Sequence, residues 1–403
     1  MSRSDREAPP ETPANAFSVP GQIAPPAGIQ SVEMFMETPG NPPLITLGSS
    51  DQITLRFDQI SDQPSLFRVR ITHHNADWSE SGLIPNFFLR GFTEDTIDRA
   101  TASATQHPGY HHFSYKFPNR NFGVTQSGNY LMHIYDSGGF EPLFSIPFFV
   151  AEGRGNVRTE VEEYFGFDGF PAHQLFATYR YPEFVILPQT NISIYFAQNQ
   201  FWGRNRRANV VDISSPGQIR KYIDRDNGFF GRYEFRPLDL TDIRSITRDI
   251  LEVFPEEDPP RVRLQFDVVN MDVNPRRSRT FKHGSPETNT RSRYANVEFN
   301  LERPSWIDSE EKIYVVGPFN NWTINEKNRM HFNAAGDFFR GNALIKEGRY
   351  DYKYVVLEDG AINDLRLDAF FSDTRQEYHT FVYYRDQEIQ ADRLLSVGRV
   401  VSR

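Results

Sequence analysis

Short runs of alternating apolar and polar residues recur along most of the chain. In QITLRFDQI, Ile53, Leu55 and Phe57 fall on one face of an extended strand, and the polar residues between them fall on the other. LFRVRITHH repeats this pattern, and HHFSYKFPN, NYLMHIYDS and LFSIPFFV follow with turn-forming residues between them. Six or so short strands of this kind predict a β-sandwich over residues 29–152.

Two further sets of strand-like segments follow the first. HQLFATYRYP, NISIYFAQNQ, RYEFRPLDL and RVRLQFDVVN predict a second β-sandwich over residues 153–273. Residues 274–293 are polar and basic, which favours a linker, and residues 294–403 again read as strands separated by turns. The fold class that we predict is therefore all-β, with three consecutive β-sandwiches of the immunoglobulin-like or early-set kind.

The first 28 residues differ from the rest. They contain six prolines and no apolar segment typical of a secretory signal, so we expect a flexible, Pro-rich leader. Nowhere does an apolar run approach the roughly 20 residues that a membrane helix needs.

Composition narrows the function classes. The 403 residues carry 44 Lys and Arg against 53 Asp and Glu, a net charge of −9, which argues against a general nucleic-acid binder. There is no cysteine, so disulfides, thiolate metal sites and cysteine nucleophiles are excluded. A cysteine-free chain fits the cytosol and the bacterial envelope equally well.

Catalytic signatures are missing from the sequence. It contains no nucleophile-elbow, phosphate-loop, dinucleotide-binding or H-E-x-x-H motif. The pairs His73-His74 and His111-His112 fall on strands, where adjacent side chains point to opposite faces and cannot easily bind one metal ion. We therefore expect structural or surface histidines, no metal, no cofactor and no enzymatic activity.

A Trp followed by basic residues is the candidate partner-binding segment. It comprises Trp202, Arg204, Arg206 and Arg207, and Trp and Arg are the side chains that most often anchor protein interfaces. The alternative is an ordinary solvated loop.

A second candidate site lies in the segment YVVGPFNNW, residues 314–322. An exposed Trp322 could stack on a sugar ring while Asn321 or its neighbour binds hydroxyl groups, or Phe319 and Trp322 could pack in the core. We favour the core, because large aromatic residues beside a buried strand usually pack inside.

GPFNNW and the later GRYDYKYVV make the last predicted domain resemble the early-set β-sandwich of glycogen- and starch-binding modules. Sugar-binding members usually carry a second tryptophan after the latter strand. Residues 358–363 contain none, which weakens the carbohydrate interpretation.

The stretches HHNADWSESGL, YHHFSYKFPN and SGNYLMHIY, with shorter matches in the middle of the chain, follow one another in order. Over roughly residues 29–386 the chain thereby resembles the plug proteins of the type IX secretion system of Bacteroidetes, and Asn75 stands where that family usually has Cys. The signature residues, in chain order, are His74, Asp77, Trp78, Ser81, Leu83, Gly91, Pro118, Asn119, Gly128, Tyr130, Gln174, Asn199, Glu234 and Arg236.

This resemblance implies a non-enzymatic, periplasmic subunit associated with the outer membrane. Its partner would be the giant outer-membrane β-barrel translocon, whose periplasmic end it would cap reversibly to keep the permeability barrier. It would not insert into the membrane or bind nucleic acid, and it would be monomeric when free. The alternative function is that of a carbohydrate-binding protein acting through the C-terminal domain.

Overall fold

The computed structural model describes residues 17–105, 107–166, 171–212, 215–231, 235–269, 285–286, 290–368 and 375–402. The regular structure in this part of the chain is almost all β-strand, as the alternating pattern predicts. Its two α-helices, α1 (Pro85–Phe88) and α2 (Pro188–Asn191), are single turns. The same described residues include 3₁₀ turns at Arg225–Asn227, Pro318–Asn320 and Glu326–Asn328.

Domain 1 is a β-sandwich. Its strands are β1 Ile29–Met36, β2 Leu44–Thr46, β3 Ile53–Gln59, β4 Phe67–His74, β5 Leu89–Gly91, β6 Asp95–Ile97, β7 Ala100–Ala102, β8 His111–Phe117, β9 Phe122–Val124, β10 Gly128–Asp136 and β11 Pro142–Ala151. One sheet has the order β1-β3-β8-β7 and the other β2-β11-β10-β4-β6, while β5 and β9 form a separate pair. The sheets pack through aromatic rings: Phe57 of the first sheet lies 5.2 Å from Phe67 and 5.4 Å from Phe144 of the second, centroid to centroid.

The remaining strands form two further domains. In chain order they are β12 Asn156–Phe165, β13 Pro171–Arg180, β14 Ile192–Gln198, β15 Asn205–Arg207, β16 Val210–Asp212, β17 Gln218–Tyr222, β18 Phe229–Phe230, β19 Arg236–Asp239, β20 Ile250–Phe254, β21 Arg261–Asp267, β22 Ser285–Pro286, β23 Tyr294–Glu302, β24 Ile313–Val316, β25 His331–Asn333, β26 Phe338–Lys346, β27 Gly348–Glu358, β28 Ala361–Asn363, β29 Glu377–Asp386 and β30 Ala391–Val401.

Strand pairing corrects the predicted boundaries of the second and third domains. Domain 2 has one sheet in the order β12-β13-β17-β16, with β18 beside β13, and a second in the order β15-β14-β29-β30. Its last two strands therefore come from the C-terminal end of the chain, with Ile194 paired to Val382. β19, β20 and β21, which we assigned to the second sandwich, pair instead with strands of the third.

Domain 3 is thus an insertion within domain 2, and the three sandwiches are not consecutive. It runs from β19 to β28, with β27 central to one sheet and the order β20-β21-β23-β26-β25 in the other. The prediction missed this because alternation identifies a strand and its buried face but not its neighbour in a sheet. Part of the predicted linker at 274–293 lies outside the described residues, and Ser285–Pro286 adds a short strand to domain 3.

The expected flexible leader is also corrected in part. Phe17 and Val19 are buried, and the Phe17 ring lies 4.9 Å from Phe201 of domain 2 and 5.6 Å from Trp322 of domain 3. These apolar side chains hold the segment against the body of the protein, although its proline content suggested otherwise. Residues 1–16 lie outside the described residues.

Candidate functional site

The most distinctive signature residues form a tight turn directly after β4. The amide of Trp78 donates to the carbonyl of Asn75 at 3.0 Å, and the amide of Asn75 donates to the carbonyl of Ser79 at 2.9 Å. Asp77 stabilises the turn through Oδ1, which accepts from the Ser79 amide at 2.9 Å and from its hydroxyl at 2.6 Å. Trp78 has φ 68°, an uncommon conformation for a bulky residue, and is buried. We name residues 75–79 the signature turn.

The signature turn docks onto domain 2. The amide of Ala76 donates to Oδ2 of Asp392 at 3.1 Å, and Oδ1 of Asn75 accepts from the Arg385 guanidinium at 3.2 Å. One apolar cluster combines Trp78 of the turn with residues of both domains. The turn therefore fixes domain 1 on domain 2, which is a structural role that its motif alone did not reveal.

A second hydrogen-bonded contact supports this junction. The Tyr383 hydroxyl donates to Oδ1 of the buried Asn129 at 2.6 Å, and the Asn129 amide group donates to the carbonyl of Asn75 at 3.0 Å. At the edge of the contact between domains 1 and 2, the Arg393 guanidinium donates to both carboxylate oxygens of Glu152, at 2.7 and 2.9 Å. Domains 1 and 2 are thus joined by apolar packing and by directional polar contacts.

The histidines next to the turn are buried and internally bonded. Nδ1 of His74 lies 2.9 Å from the carbonyl of Trp78, and its Nε2 lies 2.8 Å from the Thr72 hydroxyl, which also contacts Nε2 of His133 at 2.8 Å. Burial lowers the pKa of His73 and of His133 to about 4, so both are neutral at physiological pH.

The signature residues after the turn shape the connection to β5. Ser81 continues the backbone pairing through its amide, which donates to the carbonyl of His73 at 3.0 Å, and Leu83 packs against the core of domain 1. Gly91 has φ +88°, and a Cβ there would lie 2.0 Å from the carbonyl oxygen of Asn121. Only glycine fits this position without a backbone shift.

Pro118 and Asn119 form the turn between β8 and β9. The Phe117–Pro118 peptide bond is cis. Oδ1 of Asn119 accepts from the amides of Asn121 and Phe122, each at 3.0 Å. This side chain replaces backbone partners that the turn cannot supply.

Gly128 and Tyr130 begin the central strand β10. Gly128 has φ +151°, and a Cβ there would lie 2.4 Å from Nε2 of His73. Tyr130 is buried, its hydroxyl donates to the carbonyl of Gln126 at 2.7 Å, and its ring stacks 5.0 Å from Phe148. Both residues serve the close packing of domain 1.

Gln174 and Asn199 are buried within domain 2. The Gln174 amide group donates to the carbonyl of Ile223 at 2.9 Å. Asn199 has φ 54°, and its Oδ1 accepts from the amide of Glu377 at 3.0 Å. These amides extend the pairing of neighbouring strands in domain 2, β13 with β17 and β14 with β29.

Arg236 enters domain 3 at β19 and is buried. It forms an ion pair with Asp267 at 3.0 Å, and Asp267 also accepts from the Tyr354 hydroxyl at 2.7 Å. Glu234 lies outside the described residues.

The predicted partner-binding segment is mostly internal. Trp202 is buried at the domain 1–domain 2 junction, 4.9 Å from Phe149 between ring centroids. Arg204 pairs with Asp364 of domain 3 at 2.6 Å, and its guanidinium lies 4.1 Å from the Phe17 ring centroid. These residues join parts of the chain, so they cannot serve as exposed anchors for a partner.

Arg206 and Arg207 differ from each other. Arg206 donates to the carbonyls of Asn227 and Gly228 and lies over the Phe229 ring, so it too is used internally. Arg207 is exposed. Trp202, Arg204 and Arg206 therefore serve contacts within the chain, and Arg207 is the one residue of the predicted segment that lies at the surface.

The predicted sugar-binding residues are buried. Trp322 is 6% exposed and packs against Phe17, Phe201 and Phe235, and Phe319 is 6% exposed, with its ring 5.8 Å from Phe299 in the core of domain 3. A sugar ring cannot stack on either face, which removes this site for the carbohydrate alternative.

The amides of the same motif build its turn. Oδ1 of Asn320 accepts from the Gly317 amide at 3.0 Å, and its amide group donates to the carbonyl of Val315 at 2.9 Å. Asn321 ends the 3₁₀ turn with φ 52°, a conformation that Asn tolerates better than most residues. The motif is thus explained by folding.

Sequence reasoning missed the contact between domains 1 and 3. Asp58 of β3 accepts from Nζ of Lys346 at 2.8 Å, from the Tyr294 hydroxyl at 2.7 Å and from Nδ1 of His112 at 2.6 Å. Asp58 and Lys346 are 1% and 2% exposed. The hydroxyls of Ser31 and Tyr294 bond at 2.7 Å across the same junction. We name this cluster the domain 1–3 ionic junction.

Three exposed apolar side chains lie close together in the sequence of domain 1, and Phe184, Ile186 and Leu187 form a similar group in domain 2. Ile84, Phe87 and Phe92 are 59%, 57% and 63% exposed, and the amide of Phe87 donates to the carbonyl of Ile84 at 2.9 Å. Ile84 lies just before α1, Phe87 on it and Phe92 after it, while Phe88 between them is buried and anchors the helix. We name these three residues the α1 patch.

Few other features suggest ligand chemistry. A pocket of about 600 Å³ in domain 3 is lined by Trp306 and Phe332 and by Arg303 and Arg366, both of which are paired with carboxylates. Among the described residues, no group of three His, Asp or Glu side chains is placed to hold a metal ion. No helix in the described part of the chain is long and apolar enough to span a membrane.

Comparisons with known proteins agree with this architecture. Residues 29–152 match the family model described as Type 9 secretion system plug protein 1st domain. A hypothetical protein from Parabacteroides merdae ATCC 43184, known from a crystal structure, is similar with a TM-score of 0.85 and 22% identity over 94% of this chain and 99% of that one. This likeness shows the fold over nearly the whole chain. No match was found among curated proteins.

Proposed function

Residues 29–152 belong to the first-domain family of the type 9 secretion system plug proteins, and from this premise we propose that the chain acts as the plug subunit of such a system. The match to domain 1 is the observation that carries the proposal. The signature turn supports it further, because the residues that define the resemblance also join domain 1 to domain 2.

We propose that the plug caps the periplasmic end of the outer-membrane translocon pore. Capping requires a body that is wide and stiff, and three sandwiches joined by buried contacts provide one. The net charge of −9 favours solubility in the periplasm before and after release. In this function the protein is monomeric when free and acts by steric occlusion, without a chemical step.

The α1 patch is the surface that we propose to meet the translocon. Exposed Phe and Ile side chains supply anchors of the kind found at the centre of protein interfaces, and Arg90 beside them is exposed and can contribute to a polar rim. A patch of three apolar side chains is small enough for reversible binding.

Co-purification tests the proposal. The tagged full chain should recover a very large outer-membrane β-barrel from envelope extracts of the source cells. The triple variant Ile84→Ser, Phe87→Ser, Phe92→Ser should recover at least tenfold less, since loss of even one hot-spot side chain often costs about 2 kcal/mol or more of binding free energy.

Phe140→Ser is the matched control. Phe140 is 95% exposed on the β10–β11 turn of the same domain, so the change removes a surface aromatic elsewhere. Its recovery of the barrel should equal that of the wild type. If the wild-type chain recovers no such barrel from substrate-free translocons, the plug function is wrong. If the wild-type chain recovers the barrel and the triple variant recovers just as much, the proposed contact surface is wrong.

A further inference from the structure

Residues 17–23, which precede β1, cross the body of the protein without forming a helix or a strand. Phe17 and Val19 are buried, whereas Ile23 is exposed. In the described part of the chain, the hydrogen bonds between this segment and domain 1 are the two that join Ile23 to Ser145, at 2.8 and 3.0 Å. The segment can therefore detach without breaking a sheet. We name residues 17–23 the N-terminal latch.

A tight turn gives the latch a shape of its own. Pro20 and Gly21 are the central residues of the turn, Gly21 has φ +76°, and the amide of Gln22 donates to the carbonyl of Val19 at 3.1 Å. The amide of Val19 in turn donates to Oε1 of Gln22 at 3.1 Å. Proline followed by a glycine of positive φ is typical of a type II turn. These internal bonds lower the entropic cost of placing the segment on the body.

Phe17 fills an aromatic pocket at the junction of domains 2 and 3. Its ring centroid lies 4.9 Å from that of Phe201 and 5.6 Å from that of Trp322, and Phe235 belongs to the same buried cluster. The Arg204 guanidinium lies 4.1 Å from the Phe17 ring centroid, within the range of a cation–π contact. The pocket therefore selects an aromatic side chain.

The walls of this pocket hold one another in place. The Phe201 ring centroid lies 4.9 Å from that of Trp322 and 6.0 Å from that of Phe235, and the rings of Phe235 and Trp322 are 5.8 Å apart. Arg204 is fixed by its ion pair with Asp364 at 2.6 Å. Because these contacts do not involve the latch, the pocket keeps its shape when the latch leaves, and its apolar surface is then open to another aromatic side chain.

Val19 makes a second contact, at the junction of domains 1 and 2. It belongs to the apolar cluster that contains Leu131 and Phe149 of domain 1 and Trp202 of domain 2. An aromatic residue and an aliphatic residue at the spacing of Phe17 and Val19 thus reach both junctions at once. We name the surface that these two side chains contact the three-domain groove.

We propose that the three-domain groove is a peptide-binding site and that the N-terminal latch occupies it as a releasable ligand. The latch shows which chemistry the groove accepts: an aromatic residue, an aliphatic residue two positions later and a Pro-Gly turn between the aliphatic residue and the polar residue that follows. A segment of this chemistry on another polypeptide takes the place of the latch.

The covalent link of the latch to the chain sets the threshold for this exchange. A ligand attached through a short linker competes at an effective concentration on the order of millimolar, so a weakly binding segment does not displace it. The site requires no contact with the translocon, so its failure would leave the plug proposal standing.

A labelled peptide tests the site. The probe is the synthetic peptide FSVPGQI, residues 17–23, with a fluorophore at its C-terminus, and fluorescence anisotropy measures its binding to the full chain. The double variant Phe17→Ser, Val19→Ser empties the groove and should bind the peptide saturably. The wild-type chain should bind it at least tenfold more weakly, because its own latch competes for the groove.

Two controls define the specificity. Phe140→Ser, Phe165→Ser removes aromatic side chains that are 95% and 85% exposed and leaves the groove filled, so this variant should bind the peptide no better than the wild type. A peptide with serine in place of phenylalanine should bind the double variant at least tenfold more weakly than FSVPGQI does, because it has no ring for the aromatic pocket.

A cleavable chain guards against a folding defect in the double variant. A protease recognition sequence placed in the largely exposed stretch 24–28 lets the chain fold with its latch in place before the latch is cut and removed by gel filtration. The cleaved chain should bind the peptide as the double variant does. If neither form binds it saturably, the peptide site is wrong. Equal binding by the wild-type chain overturns the role of the latch, and equal binding of the serine peptide overturns the aromatic pocket.

Discussion

At the scale of single residues, the alternating pattern predicts which face of a strand a side chain lies on, but not what covers that face. In QITLRFDQI it places Asp58 on the face away from the core of domain 1, and Asp58 does lie there. That face is covered by domain 3, so a position that seems solvent-exposed from the pattern is 1% exposed. The partner, Lys346, is 288 residues away in sequence, and no local pattern could indicate it.

For the signature residues, the sequence identified the positions but not their physical roles. The sequence identified Asp77, Trp78 and Gly128 through resemblance, without a physical role for any of them. The structure supplies the roles: a side chain that stabilises a turn, a buried ring at a domain junction and a backbone position that excludes a Cβ. Trp202, which we predicted to anchor a partner or lie in a solvated loop, and Trp322, for which we favoured the core, are both buried at junctions.

Removing one partner of the buried ion pair should destabilise the protein strongly. Lys346→Met leaves the carboxylate of Asp58 without its lysine in a buried site, which typically costs about 3–5 kcal/mol. We expect the first urea transition of the variant to shift to lower concentration.

The double variant Asp58→Asn, Lys346→Met is the control for this prediction. It removes both charges, so it should recover much of the loss despite carrying one more substitution. A double variant as unstable as the sum of the single ones would show that the two side chains do not act as a pair.

At the scale of elements, the limits of prediction lie in the pairing of strands. The long strands β3, β4, β8, β10, β11, β13, β14 and β21 overlap segments that alternation identified, whereas short strands such as β5 and β7 do not. The pairing of β14 with β29 was not predictable, because the two strands are separated by the whole of domain 3 and nothing in either sequence specifies its neighbour. Because this pairing was not predicted, β29 and β30 were assigned to the third domain and the insertion was missed.

Because domain 3 is inserted within domain 2, truncating the chain and deleting domain 3 should have different effects on domain 2. A chain ending at residue 293, the boundary suggested by the sequence, loses β29 and β30 and should leave domain 2 unable to close its second sheet. Replacing residues 236–368 with a flexible Gly/Ser linker removes domain 3 but keeps all strands of domain 2.

Limited proteolysis compares these two chains. The linker variant should yield a protease-resistant fragment that contains domains 1 and 2, whereas the chain ending at 293 should be cleaved throughout 153–235. If both chains are equally resistant in this region, β29 and β30 are not needed for domain 2, and the inserted arrangement is incorrect.

At the scale of the whole molecule, three junctions make one body from three sandwiches. The signature turn joins domains 1 and 2, Arg204 and Asp364 join domains 2 and 3, and the ionic junction joins domains 1 and 3. Each domain therefore contacts both others. Such a closed set of contacts resists bending better than a linear chain of domains, which suits the occluding role that we propose.

The function that we propose depends on this body meeting a specific pore. The type 9 secretion match covers domain 1, and the α1 patch lies on the same domain. Domain 3 adds bulk and contacts domain 1 through the ionic junction.

Single-channel conductance of the purified translocon tests the central claim most directly. The substrate-free barrel, reconstituted in a planar bilayer, is recorded before and after the full-length chain is added to its periplasmic side. The account predicts that the chain closes the pore reversibly from that side, and that the triple α1-patch variant does so only at much higher concentration. An open pore that keeps its conductance at saturating concentrations of the wild-type chain, or that closes equally from both sides, would contradict it.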